Sequence, residues 1–222
     1  MKFLKLAYLV ARDKYLFYKN GKYENLFGCF MFVGEVGSGK TISSINHALK
    51  LKEKDERIKI YTNFHLIGQD GEINHWSDML SVPSYSIIIL DEIQNTFSQR
   101  EWNTFPPQLV QLLTQNRKWG TEANKGEIRP PGVRLIFTTQ DYENTDVMIR
   151  RLCNKVIQCS GFFKGRLILN RWYKRKEFEK TDEKKRNEGL KALVVSDELR
   201  NQYDTYKILE SMKTEEELKK RK

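Results

Sequence analysis

Eight consecutive residues constrain this chain more than any other feature. Gly34-Glu35-Val36-Gly37-Ser38-Gly39-Lys40-Thr41 fits GxxxxGK[ST] in full, between an apolar run, Gly28–Val33, and an amphipathic stretch that begins at Lys40. The three glycines let the backbone turn with its N–H groups inward, and a following helix adds its positive dipole end to the same point. Such a loop cradles phosphates. Its residue types assign Lys40 to the β and γ phosphates of a nucleotide, and the Thr41 hydroxyl to Mg²⁺. The plain alternative is a glycine-rich turn with a chance lysine, and the strand before it and helix after it argue against that.

Short apolar runs alternate with amphipathic stretches up to about Tyr173. Strands are predicted at 28–33 (GCFMFV), 58–62 (IKIYT), 86–90 (SIIIL), 133–139 (VRLIFTT) and 156–159, with a hairpin at Lys164-Gly165 before 166–173. A helix over 40–54 would place Ile42, Ile45, Ala48 and Leu49 on one face. Pro106 and Pro107 open a second helix reaching about Trp119, with Gly120 as its stop. The expected fold is α/β: a central, mostly parallel sheet flanked by helices. It divides into an arm (1–27), a P-loop domain (28–173) and a charged helical tail (174–222). From Arg171 to Lys222 the chain carries 16 Lys/Arg against 12 Asp/Glu. The first part of the tail reads as a solvated helix or linker. A helix over 196–212 carries Leu199, Tyr203, Tyr206 and Leu209 and would pack back on the domain or dock on a partner.

The run Ser86-Ile87-Ile88-Ile89-Leu90-Asp91-Glu92 reads as a buried strand ending in two acids, the Walker B pattern. Asp91 is placed to hold Mg²⁺ beside Thr41, and Glu92 to polarise the attacking water. The rival reading makes both acids caps of the next helix. Gln140 ends the strand at 133–139, as a γ-phosphate contact or as an ordinary strand-end amide.

Net charge is +10, from 39 Lys/Arg and 29 Asp/Glu in 222 residues, which favours an anionic partner: nucleic acid first, a membrane surface second. Apolar runs such as 6–11 and 87–90 fall far short of the roughly 20 residues of a membrane span. The first residues lack a signal peptide's apolar stretch and cleavage site. Three cysteines without a CxxC pair suit a reducing compartment, so a cytoplasmic location is expected, in the host cytoplasm or associated with a virion, with peripheral membrane association as an alternative. His47, His65 and His75 lie too far apart to suggest a metal site. Tyr15, Phe17, Tyr18 and Tyr23 interleave with Lys14, Lys19 and Lys22, either as a platform for single-stranded bases or as an amphipathic arm.

Four motifs in order, GEVGSGKT, YTN at 61–63, IIILDEIQNTFSQREW and LIFTTQ, resemble the Zot-like branch of the FtsK–HerA superfamily of P-loop ATPases. The resemblance covers about 28–173, including Arg100 and Trp102, the basic turn Asn116-Arg117-Lys118, and Asp146-Val147-Met148-Ile149-Arg150-Arg151-Leu152. It implies a RecA/FtsK–HerA-like fold with ATP and Mg²⁺ as ligands. It further implies Gln140 as a sensor and an arginine acting in trans across a hexameric ring, with Arg117, Arg150 and Arg151 as candidates. Small viral genome-packaging ATPases belong to the same superfamily. The expected activity is a ring-forming motor that moves viral or plasmid DNA. The alternatives are a filamentous-phage assembly ATPase at the membrane, with capsid or membrane assembly proteins as partners, and an ATP-dependent switch or scaffold. Filamentous-phage assembly ATPases carry a transmembrane helix after the ATPase domain, and this sequence shows none. The segment 121–131, with Lys125 and Arg129, reads as an exposed loop facing a ring pore.

Overall fold

The computed structural model describes residues 2–19, 23–96, 107–119, 132–181 and 184–203. Among them, an 18-residue helix α1 (Lys2–Lys19) precedes the first strand, β1 (Gly28–Val33). The P-loop leads into α2 (Lys40–Lys52), followed by β2 (Lys59–Thr62), the two-residue β3 (Gly71–Glu72) and β4 (Ser86–Leu90). Short α3 (Ile93–Thr96) and α4 (Pro107–Thr114) come before β5 (Val133–Thr139). Then come α5 (Val147–Leu152), the hairpin β6 (Cys153–Phe162) and β7 (Leu167–Lys174), α6 (Arg175–Phe178), β8 (Gly189–Val194) and α7 (Asp197–Asn201).

All eight strands join one sheet in the order β3-β2-β4-β5-β1-β6-β7-β8. From β3 to β6 neighbours run parallel, and β7 and β8 complete the sheet antiparallel. The fold is that of a P-loop NTPase, with helices on both faces. Alternation along each strand sorts the core into two layers. Met31, Ile88, Leu90, Leu135 and Phe137 face α4 and α5, with Leu109, Leu112 and Ile149. Phe32, Ile87, Ile89 and Ile136 face α2, with Ile42, Ile45 and Ala48, as the helix periodicity requires. Strand β4 is buried along its whole length, which explains its unbroken apolar sequence.

Three elements depart from the sequence reading. Strand β6 runs over 153–162 rather than 156–159, because its backbone pairs with β1 on one side and β7 on the other. Helix α4 stops at Thr114, well before Trp119. There the Asn116 side chain donates to Leu113 O at 3.1 Å and accepts the Gly28 N–H at 3.0 Å, pulling the chain into a 3₁₀ turn over Asn116–Lys118. The boundary expected at Tyr173 falls inside the sheet, and the tail is not helical throughout. β8 adds to the sheet edge beyond β7, and Leu193 and Val195 are buried in the core. Its charged, exposed neighbours hide it, since an edge strand buries few side chains and is held by its backbone. No helix among the described residues is long and apolar enough to cross a membrane. Arg100, Trp102, Lys125, Arg129, Tyr206 and Leu209 lie outside the described residues.

Candidate active site

The parallel strands deliver their carboxyl ends to one crevice, where ligands of α/β sheets bind. Gly34 follows β1, Asp91 follows β4 and Gln140 follows β5, with β5 lying between the other two. The loop at 34–41 is closed by Ser38 N–H donating to Glu35 O at 3.1 Å. Two of its glycines are sterically required. A Cβ on Gly34 would stand 2.6 Å from Cys159 O, and one on Gly39, at φ +88°, would stand 2.2 Å from Ile168 Cδ1. Gly39 O then accepts the Ser43 N–H at 3.0 Å, starting α2 with its free N–H groups at the loop. Lys40 is buried and its Nζ donates to Glu35 O at 3.1 Å.

Asp91 is the most heavily engaged side chain of the site. Its Oδ1 accepts from Thr41 Oγ1 at 2.9 Å and from Thr138 Oγ1 at 2.5 Å. Its main chain is clamped by Asn63 at the end of β2: Oδ1 of Asn63 accepts the Asp91 N–H at 2.8 Å, and Nδ2 donates to Asp91 O at 3.1 Å. Burial pushes the Asp91 carboxyl above the usual carboxylate range, partly opposed by the two hydroxyl donors and by Lys40. The Asp91 Oδ1 is thus engaged by two hydroxyls rather than by a helix N–H.

Glu92 lies in the left-handed region, at φ +49°. That conformation is costly for a residue with a side chain, and it is held here by the Glu92 N–H donating to Thr138 Oγ1 at 3.0 Å. The turn sends the Glu92 side chain to the wall of the cleft, where Gln94 Nε2 donates to its carboxylate. Gln140 is exposed at the strand end. The interior residue of β5 that reaches both acids is Thr138, which sequence reasoning missed. Its signal was a hydroxyl in a strand buried along its whole length.

None of the three arginines lines the cleft with this cluster: Arg150 and Arg151 are neighbours in α5, and Arg117 lies elsewhere. Arg117 lies over the Phe27 ring at 5.2 Å, next to the amino ends of β1 and β5 and so at the opposite end of the sheet. Arg150 is held by Glu143 at 3.1 Å and lies 5.4 Å above Tyr142. Arg151 is exposed.

The P-loop forms one wall of a cleft of about 480 Å³, with Glu92 in its lining. The other wall was not foreseen: it comprises Lys164, Gly165 and Ile168 from the β6–β7 hairpin, and Arg200 and Tyr203 from the C-terminal segment. Leu199 and Tyr203 of the expected tail stripe do pack back on the core. The residues present suit a magnesium–nucleoside triphosphate. A hydroxyl and a carboxylate already meet at 2.9 Å, a lysine and a helix start lie beside them, and a cation would favour the charged form of the Asp91 carboxyl that burial disfavours. When bound, the ion would screen the phosphates. Thr41 and Asp91 would hold it, and Lys40 would meet the phosphate oxygens.

A family described as zonular occludens toxin (Zot) matches residues 67–215. That span includes β4 and β5 and begins after the loop at 34–41. No curated protein matches the chain. Among solved structures, it is similar to the N-terminal domain of zonular occludens toxin from Neisseria meningitidis, at 18% identity and a TM-score of 0.52, over 81% of this chain and 100% of that one. It also matches the genome packaging NTPase B204 from Sulfolobus turreted icosahedral virus 2 in complex with ATP-gammaS, at 13% identity and a TM-score of 0.48, over 74% and 96% of the two chains. At these identities the likeness to the Neisseria domain concerns the fold alone.

Proposed function

The chain belongs to the zonular occludens toxin (Zot) family, and from that premise we propose that it is a Mg²⁺-dependent ATPase that assembles into a homohexameric ring and moves viral or plasmid DNA. The contact of Thr41 Oγ1 with Asp91 Oδ1, closed across 50 residues of sequence directly behind Lys40, carries the nucleotide part of this reading. Lys40 binds the β and γ phosphates, Thr41 and Asp91 the ion, and Glu92 accepts the proton of the attacking water. Gln140, exposed at the end of β5, senses the γ-phosphate in the ring. One arginine completes the site from the neighbouring subunit. Arg151 suits that role better than Arg150, whose charge Glu143 already engages. The +10 net charge supports DNA as the partner.

A second reading, an assembly ATPase docked on a membrane, is favoured by α1. Its Phe3, Leu4, Leu6, Tyr8 and Val10 are all more than half exposed, with Lys5 and Arg12 on the same helix. ATP turnover measured alone, with single-stranded DNA, with double-stranded DNA and with anionic vesicles tests both. Stimulation by DNA supports the motor. Stimulation by vesicles alone replaces it with the membrane-docked enzyme, and absence of turnover in every arm sinks both.

A further inference from the structure

The P-loop accounts for one wall of the cleft, and the opposite wall comes from the far end of the chain. Residues 195–203 leave β8 beside the β6–β7 turn, contact α2, and end beside Leu66. Both ends of this crossing are tied. Val195 is buried, its N–H donates to Arg166 O at 2.8 Å, and Arg166 pairs with Asp197 at 2.6 Å. At the other end Gln202 O accepts the Ile67 N–H at 2.8 Å, and Tyr203 packs edge-on against Phe64. Ser196 caps the intervening helix by accepting the Leu199 N–H at 3.2 Å.

Between the anchors stands Arg200. It lines the same cleft as Lys164 and as Gly37, Gly39, Lys40 and Thr41 of the phosphate loop. Its guanidinium donates to Lys164 O at 2.9 Å, which fixes the head group at the turn. That turn holds two non-glycine residues in the left-handed region, Phe163 at φ +52° and Lys164 at φ +54°. This is a costly geometry that sets the Lys164 carbonyl against Arg200. The two arginines of this region differ in one respect. Asp197 neutralises Arg166, whereas Arg200 has no carboxylate partner among the described residues. A half-buried guanidinium with no carboxylate partner among the described residues, lining the same cleft as the phosphate loop, leaves its charge for an anion held between them.

We infer that Arg200 is a nucleotide-binding residue supplied in cis. It grips the phosphate chain of ATP from the side opposite Lys40, so that residues 195–203 form a strap held jointly by protein and nucleotide. The inference rests on the reading of the cleft as a nucleoside-triphosphate site. It assigns the C-terminal segment a part in the site of its own chain, distinct from any arginine arriving from a neighbour.

The test is equilibrium binding of a fluorescent ATP analogue to the full chain, with ATP, ADP and adenosine as competitors. Arg200→Gln removes the charge and keeps a donor for Lys164 O. It should weaken ATP binding about tenfold or more and leave adenosine binding at the parent level, while Arg200→Lys recovers most of the loss. Amide exchange over 196–203 should slow when ATP is added to the parent. If the parent binds ATP and Lys40→Ala abolishes that binding, the site stands. Parent-like ATP affinity in Arg200→Gln then overturns the strap alone. A loss of equal size for adenosine also overturns it, because Arg200 would then act through the fold. If the parent binds no ATP, the site reading fails and the strap with it.

Discussion

Thr138 Oγ1 donates to Asp91 Oδ1 and accepts the Glu92 N–H, so one hydroxyl in β5 sets the geometry of both acids at the end of β4. Thr138→Val keeps the shape and deletes both contacts. It should destabilise the protein by about 1–3 kcal/mol, because a half-buried carboxylate and a strained N–H each lose a partner. It should also lower ATP turnover. Denaturant melts and turnover measured side by side check this. Parent-like turnover would show that Thr138 serves folding only.

Glu92→Gln should retain ATP binding and cut turnover by roughly 10²–10⁴-fold, the range for loss of a general base. Binding and single-turnover hydrolysis separate the two effects. Hydrolysis at the parent rate would remove Glu92 from the role of base.

Asp91→Asn should raise the Mg²⁺ concentration needed for half-maximal turnover, and Thr41→Val should do the same, since each removes one oxygen from the proposed ion site. A Mg²⁺ titration of the two variants is the check. An unchanged midpoint in both would place the ion elsewhere.

Turnover should rise with protein concentration if a neighbour completes the site. Arg151→Ala subunits, inactive alone, should regain activity when mixed with Lys40→Ala subunits, because each lacks a different half. Arg150→Ala should show its effect in stability, through the lost Glu143 and Tyr142 contacts. Full turnover by a dilute monomer would rule out an arginine in trans.

His47 gives a pH dependence unrelated to catalysis. It lies among Phe30, Phe32 and Trp172, and its Nε2 has no hydrogen-bond partner among the described residues. Burial, then the charges of Arg134, Lys191 and Lys54, lower its pKa from 6.5 to about 3. Between those values the unfolded chain binds the proton and the folded chain does not. Stability is therefore intact above pH 6.5 and falls as the pH drops toward 3, by up to about 1.4 kcal/mol per unit from this group. His47→Leu should flatten that limb relative to the parent in melts between pH 7 and 4. Parallel curves would mean that His47 gains its proton in the folded state.

The sequence by itself determined the glycine loop between strand and helix, the fully buried strand at 86–90, the helix face of Ile42, Ile45 and Ala48, and most of the strands. Each is a local pattern: a spacing that phosphate binding demands, or a periodicity that burial imposes. The meeting of Thr41 with Asp91 was legible too, because the two motifs imply one crevice. Which side chains complete that crevice was decided by the order of the strands. β5 enters between β1 and β4, so Thr138, inside the sheet, reaches both acids, while Gln140 ends exposed beyond it. β8 and the crossing of residues 195–203 were equally hidden. An edge strand is held by backbone hydrogen bonds that leave little mark on side-chain pattern. The approach of Arg200 to Lys164 spans 36 residues and depends on where the β6–β7 hairpin turns. No periodicity within a segment records such a contact; the packing of one segment on another creates it.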